Sequence, residues 1–214
     1  MVGRVVGVGF QYGSALLPVR RVLTTDRVVA FYHPKPAWPN HVLIVPKRPI
    51  RSLLELGSPA NAPFFTDIIL AARDAIQLLG LGDSGYTLCA NGGPRQEVQQ
   101  VHFHLFTGRQ YANTFAGDLP AETIWDDPEV AVFAHPRPNW ETHLLVCPRR
   151  QLPPLGDITA SADPILRRLL APLPGLNERL HLVRHGYTVF VQESDAAARE
   201  RLVLHLVAGP QLEG

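Results

Sequence analysis

Cysteine, long apolar runs and net charge are all scarce in this chain, and each scarcity removes a class of protein. Only 2 cysteines occur in 214 residues. Cys89 and Cys147 each sit alone in an apolar, strand-like stretch, which reads as a buried reduced thiol and excludes a disulfide framework. No Cys-x-x-Cys pair exists to supply thiolates to a structural zinc. No run of about 18 apolar residues is present, so no membrane span is expected. The start, Met1 to Gly9, is too short and glycine-broken for a secretory apolar segment. A formal charge of +1 gives no footprint for polymeric nucleic acid or an anionic membrane. These readings predict a cytoplasmic globular protein with no resident metal or cofactor, whose partners are small ligands or other proteins. An apolar fraction of 46% supplies an ordinary core.

What is present is concentrated in Gln100-Val101-His102-Phe103-His104-Leu105-Phe106. A strand of period two projects Gln100, His102 and His104 from one face and sends Val101, Phe103 and Leu105 into a core. Neutral imidazole is a competent nucleophile near neutral pH, because its ordinary pKa is about 6.5.

The chain also repeats itself. His33-Pro34-Lys35-Pro36-Ala37-Trp38-Pro39-Asn40-His41-Val42-Leu43 returns as His135-Pro136-Arg137-Pro138-Asn139-Trp140-Glu141-Thr142-His143-Leu144-Leu145, a shift of 102 residues. Gly85-Tyr86-Thr87 returns as Gly186-Tyr187-Thr188, and His104-Leu105 as His205-Leu206, now shifted by 101. Ordered self-similarity of this length means a duplicated structural unit. We place the units at residues 1–113 and 114–214, with Gly117-Asp118-Leu119-Pro120 near the joint. The copies are unequal where chemistry is concerned: Val203 stands where the first copy has His102, and Arg201 where it has Gln100. One active site per chain is expected, and whether Arg201 or His205 reaches it stays open.

Short β-branched runs at Val28 to Phe31 and Val42 to Val45 flank a proline-rich turn and read as adjacent antiparallel strands. Asn61-Ala62-Pro63, followed by helical apolar spacing to Gly80, reads as a capped helix with an early proline. Two further strands are predicted over Gly85 to Ala90 and Gln99 to Phe106, joined through Asn91-Gly92-Gly93-Pro94. The second copy repeats the plan with a shorter helix around Pro164 to Leu170. The fold class is α+β, an antiparallel sheet with few helices.

The Gln-x-His-x-His strand, the block from Phe31 to Arg48 ending in Leu43-Ile44-Val45-Pro46-Lys47, and Asn91-Gly92-Gly93-Pro94-Arg95-Gln96-Glu97-Val98 together resemble the histidine-triad (HIT) family. One departure is Gln100, which replaces the first histidine of the triad. The resemblance implies two tandem copies of a HIT-like fold pairing as an intramolecular pseudodimer, so the chain is expected as a monomer. It implies a nucleotide hydrolase or nucleotidyltransferase in which His102 attacks the α-phosphorus to form a nucleotidyl-histidine.

On that resemblance His104 donates to a phosphate oxygen, His41 orients the cluster, and Gln100 stands in the triad without the capacity to relay a proton. Asn91 and Gln96 take nucleotide contacts. His33 stands where the family often keeps an acidic ribose contact, with a ligand role and a turn role both open. Trp38 and Trp140 read as core or interface anchors, against base stacking, and Lys47, Arg48, Arg149 and Arg150 as solvated strand ends, against phosphate ligands. Duplication with one live half is similar to galactose-1-phosphate uridylyltransferase and the dinucleoside-polyphosphate phosphorylases. The alternative class is a non-catalytic nucleotide-binding or scaffolding protein whose chemistry has decayed.

Overall fold

The computed structural model describes residues 19–108, 115, 119–193 and 201–212. The reading of residues 1–9 lies outside these, as does part of the expected joint. The first copy contributes strands β1 (Arg21–Thr24), β2 (Val28–Tyr32), β3 (Val42–Pro46), β4 (Tyr86–Gly92) and β5 (Phe103–Phe106). The second contributes β6 (Trp125–Asp126), β7 (Val130–Ala134), β8 (Trp140–Pro148), β9 (Tyr187–Glu193) and β10 (Leu204–Gln211). They form one ten-stranded antiparallel sheet in the order β1-β2-β3-β5-β4-β9-β10-β8-β7-β6. The second half of that order repeats the first in reverse, as a pseudo-twofold requires.

The two copies join where β4 pairs with β9, from Tyr86 opposite Glu193 to Gly92 opposite Tyr187. At the middle of this seam Cys89 faces Phe190, its own equivalent in the repeat, so the local dyad passes between them. Trp38 and Trp140 pack from either side onto Cys89, Phe106, Phe190 and Val207. They are therefore anchors of the interface between copies.

Alternation along every strand separates two faces. Val28, Ala30, Val42, Ile44, Leu88, Phe103, Leu105, Val132, Val146, Val189 and Leu206 enter one large core that runs through both copies. Helices α1 (Leu53–Leu56) and α2 (Ala62–Leu78) cover it over the first copy, and α3 (Asp163–Leu166), α4 (Leu173–Leu180) and α5 (Leu182–His185) extend it over the second. Burying each large aliphatic side chain there contributes about 1.5–3 kcal/mol. No described helix is long and apolar enough to cross a membrane. Both cysteines are free and buried.

Three sequence expectations are corrected. The α2 helix starts beside Asn61, with Pro63 in its first turn, but the Asn61 side chain makes no cap and its amide donates to the Glu55 carbonyl at 3.0 Å. The shorter helix expected around Pro164 to Leu170 ends at Leu166 and gives way to turns, and α4 begins beyond it, with Pro172 as its N-cap and Pro174 in its first turn. The strand expected over residues 99–106 begins only at Phe103. The ladder of β3 with β5 ends at Ile44 opposite Phe103. Two residues further on, the partner would be Pro46, which has no N–H to give.

Gly92 is required by the seam, since a Cβ there would come within 2.2 Å of the Tyr187 ring. Gly92→Ala is therefore expected to destabilise by about 1–3 kcal/mol, read as a lower denaturant midpoint. Gly82→Ala, where an added Cβ meets nothing within 4 Å, serves as the control and leaves the midpoint unchanged. Equal midpoints for the two variants would contradict a close-packed seam.

Candidate active site

The helix-free face of the sheet carries His33, His41, His102 and His104. His33 follows β2, His41 precedes β3, and β5 sets His104 opposite both Leu43 and Cys89. His33 stacks on His41 with ring centroids 4.3 Å apart and an interplanar angle of 3°. The Nε2 of His41 lies 2.8 Å from Nδ1 of His104, and the His104 ring is 4.9 Å from that of His102. Trp38 and Phe106 stack at 4.2 Å and wall the cluster. His102 and His104 are only partly covered, whereas His41 is buried.

Backbone groups determine where each imidazole proton sits. The Ala37 N–H donates to His41 Nδ1 at 3.3 Å, and a backbone N–H can only donate, so the His41 proton is on Nε2. That Nε2–H donates to His104 Nδ1, which leaves the proton of His104 on its own Nε2. At His102 the polarity is reversed. Its Nδ1 is 2.8 Å from the Gln100 carbonyl, which can only accept, so Nδ1 holds the proton and Nε2 keeps a lone pair.

Burial, the largest cause, lowers the pKa of all four rings, to about 4 for His41 and about 2 for His104. The neighbouring imidazoles add to the effect. At His102 burial is opposed by the Gln100 carbonyl and by the Glu97 carboxylate, yet the net direction is down. The cluster is thus a set of neutral rings of fixed tautomer. Exposed Glu97 also favours the charged form of His33. Sequence reasoning gave Glu97 no role, although it stands in the Gln-Glu-Val run three residues before Gln100.

Gln100 does not line this surface with its side chain, contrary to the expectation from alternation. It is buried, and its amide binds the connection after β3: Nε2 donates to the Pro46 and Arg48 carbonyls, each at 3.2 Å, while Oε1 accepts the Ile50 N–H at 3.3 Å. The Val101 N–H donates to the Ile50 carbonyl at 2.7 Å. These bonds replace the ladder that Pro46 interrupts and fix the carbonyl that orients His102.

The remaining predicted residues are placed as follows. Asn91 lies at the seam, where its Oδ1 accepts the Thr188 hydroxyl at 2.8 Å. Asn91 is two residues beyond Cys89, the β4 residue opposite His104, so alternation along β4 places it on the same face as the histidines. The Gln96 amide nitrogen donates to the Arg51 and Val98 carbonyls, so it ties down its own loop. His33 accepts the Lys35 N–H at Nδ1, and His135 accepts the Arg137 N–H in the same way, so both serve their turns. Arg149 pairs with Asp126 and also donates to the Asp127 carbonyl.

The second copy retains the relay but has Val203 in the place of His102. His143 Nδ1 faces the Asn139 N–H, and His143 Nε2 lies 3.0 Å from His205 Nδ1. His135, His143 and His205 are all buried. Val203, in place of His102, packs with Phe133, Leu145 and Cys147 under Phe115 and Leu119 of the segment that joins the copies. The charge of Arg201 acts on the Cys147 thiol of its own copy, and His205 pairs with His143 of its own copy.

Both triplets, His33-His41-His104 and His135-His143-His205, bring three ring nitrogens within 4.8 Å, near enough to hold a metal ion. A metal-bound histidine is normally oriented by donating its other N–H to a carbonyl or carboxylate. In each triplet two Nδ1 atoms instead face backbone N–H groups, so a metal on Nε2 would set two N–H groups against each other. The triplets do not fit a metal well.

An antiparallel sheet duplicated about a local dyad, with relayed neutral histidines beside a strand histidine, defines a tandem protein of the histidine-triad class. The chain belongs to the HIT family: the HIT domain profile matches residues 16–111 and again 116–207. A HIT-like protein of Synechococcus elongatus is 34% identical over 98 residues, covering 45% of this chain and 84% of that protein. A HIT-like protein of Azospirillum brasilense is 28% identical over 96 residues, covering 44% of this chain and 79% of that one. Each relative thus corresponds to about half of this chain. Among solved structures, an ADP-glucose phosphorylase from Arabidopsis thaliana with bound ADP-glucose has a TM-score of 0.61 at 12% identity, over 91% of this chain and 77% of that one. A uridylyltransferase has a TM-score of 0.59 at 11% identity, over 89% of this chain and 77% of that one. At such identities the likeness is one of fold.

Neutral buried histidines make stability depend on pH. In the unfolded chain these rings take a proton near pH 6.5, whereas in the fold His41, His104 and His143 do so only near about 4, 2 and 3. The unfolded state therefore binds more protons below pH 6.5, and stability is complete above that value and falls as pH drops below it. Each such ring contributes up to about 1.4 kcal/mol per pH unit in that window. Urea midpoints are expected to fall steadily from pH 6.5 to 5. Constant midpoints over that range would contradict the neutral cluster.

Proposed function

We propose that the chain is a HIT-type nucleotide hydrolase or nucleotidyltransferase with a single active site, in which His102 attacks the α-phosphorus. The observation that carries this reading is the proton on His102 Nδ1, held by the Gln100 carbonyl, which leaves the Nε2 lone pair as the nucleophile on an accessible strand face. In the first step His102 Nε2 forms a bond to phosphorus, the phosphorus bond to the leaving group breaks, and that group departs with the electron pair and takes a proton from solvent. The resulting nucleotidyl-imidazolium keeps its Nδ1–H on the carbonyl. In the second step water or another acceptor attacks the same phosphorus and loses its proton to solvent, the phosphorus–nitrogen bond breaks with its electron pair returning to Nε2, and neutral His102 is restored.

Phosphoryl chemistry rewards positioning and charge stabilisation. His104 fits that need, because its Nε2–H is directed by the relay from His41 and can donate to a nonbridging oxygen. Gln100 acts through its carbonyl alone. With its amide engaged by backbone and no titratable proton, Gln100 does not replace the first histidine of the triad as a proton carrier. Substrates with good leaving groups are therefore favoured. Nucleotide sugars belong among those to test, since the phosphorylase that shares the tandem fold binds ADP-glucose.

Brief mixing with adenosine 5′-phosphorimidazolide, followed by intact-protein mass spectrometry without acid, is expected to show one added adenylyl group on the parent and none on His102→Ala. Because burial lowers the His102 pKa, more of His102 is neutral at pH 6.5 than of an ordinary histidine, and its imidazole signals in NMR should titrate below those of an exposed histidine. Nucleotide binding by both proteins with no adduct on either would overturn catalysis and favour the binding-protein class.

A further inference from the structure

The turn that follows β4 is built against the second copy. Arg95, in the single 3₁₀ turn Gly93–Arg95, leaves its own copy altogether. Its Nη2 donates to the Gly209 carbonyl at 2.9 Å, its guanidinium lies over the Trp140 ring at 5.0 Å, and its stem passes over Gly186, where an added Cβ would come within 2.9 Å of Arg95 Cγ. Its Nη1 donates to the Thr188 hydroxyl oxygen at 3.2 Å. Thr188 is wholly buried on β9, opposite Asn91.

These contacts have a direction. Guanidinium has donors and no acceptor, so Thr188 Oγ1 must accept from it. The hydroxyl proton then goes to the other neighbour, Asn91 Oδ1, at 2.8 Å. With its oxygen taken, Asn91 turns its amide nitrogen, and both of its N–H donors, away from the seam. Asn91 lies two residues beyond Cys89, which β5 sets opposite His104, so alternation along β4 puts Asn91 on the face of the sheet that carries the histidines.

We infer that Arg95, Thr188 and Asn91 form a one-way hydrogen-bond relay across the seam. By this relay the catalytically silent copy fixes Asn91 as a donor to an oxygen of the bound nucleotide, a phosphate or ribose oxygen. Arg95 and Thr188 are positioning residues that touch no ligand, and Trp140 and Gly209 hold Arg95 in place. The inference rests on the nucleotide reading above. It also gives the second copy a task that outlasts the loss of its own nucleophile: it selects for acceptor atoms at the first site.

The test is calorimetric titration of AMP into the full chain. Thr188→Val removes the hydroxyl at nearly constant volume and is expected to weaken AMP binding about tenfold, the scale of one hydrogen bond lost from a polar site. In an Asn91→Ala background the same substitution should change nothing further, whereas a purely structural Thr188 would weaken binding equally in both backgrounds. Asn91→Asp bypasses any folding defect at the buried site. It still accepts from Thr188 but presents no donor, and it should lose at least as much affinity. Parent-like affinity in Thr188→Val or Asn91→Asp, or equal losses in the two backgrounds, would overturn the relay. A parent chain that fails to bind AMP would refute the nucleotide reading itself, a result distinct from any change among the variants.

Discussion

The Gln100 carbonyl accepts one imidazole proton, and the chemistry of the site depends on that bond. Without it, His102 could carry its proton on either nitrogen. With it, the lone pair is confined to Nε2. The carbonyl is held in turn by a chain of causes that begins with a residue incapable of donating. Pro46 ends the β3–β5 ladder, the backbone leaves the strand at residues 100–102, and the Gln100 amide substitutes three side-chain bonds for the missing ladder. Such bonds are worth about 1 kcal/mol each in net stability. Their larger effect is positional, because leaving those backbone groups unpaired in a buried site would cost more. The glutamine that breaks the triad pattern thus preserves the orientation of the histidine beside it.

The duplication shows which parts of the site are architectural and which are chemical. His135, His143 and His205 reproduce the stacking and the hydrogen bond of His33, His41 and His104 almost atom for atom, with the second relay at 3.0 Å and the first at 2.8 Å. The second set is buried, and Val203 packs into an apolar cluster with Phe133, Leu145 and Cys147 where the first copy has His102. A relay kept where the strand histidine is replaced by valine is a packing solution for buried polar rings: His143 and His205 share a hydrogen bond and burial keeps both neutral. In the first copy the same solution leaves the His104 Nε2–H beside the Nε2 lone pair of His102, the pair that the proposed reaction uses. The seam explains why the silent copy cannot be dispensed with. It pairs all of β4, shares one core with the first copy, and packs Tyr187 against Gly92 at the turn that carries Asn91 and Arg95.

Much of this was legible in the chain. Period-two alternation correctly sends Val101, Phe103 and Leu105 inward and His102 and His104 outward, because strand geometry is local. The repeat with its unequal Val203 and the long helix at Ala62–Leu78 are likewise local signals. What sequence could not supply are partners remote in the chain. Gln100 is turned from the surface by carbonyls about fifty residues earlier, and alternation carries no information about them. Asn91 could be named as a contact, yet its orientation is fixed by Thr188, 97 positions away. Glu97 was passed over because an exposed acid in a loop gains meaning only from the rings folded near it. The start of α4 could have been read from Pro172 and Pro174, which stand at its N-cap and in its first turn.

The central claim concerns proton positions, so the most direct measurement is nitrogen-15 NMR of the histidine side chains at pH 7.5, with His102 assigned by comparison with His102→Gln. The account predicts a neutral His102 protonated on Nδ1, and neutral His41 and His104 protonated on Nε2. A His102 protonated on Nε2, or a charged ring at His41 or His104, would contradict it.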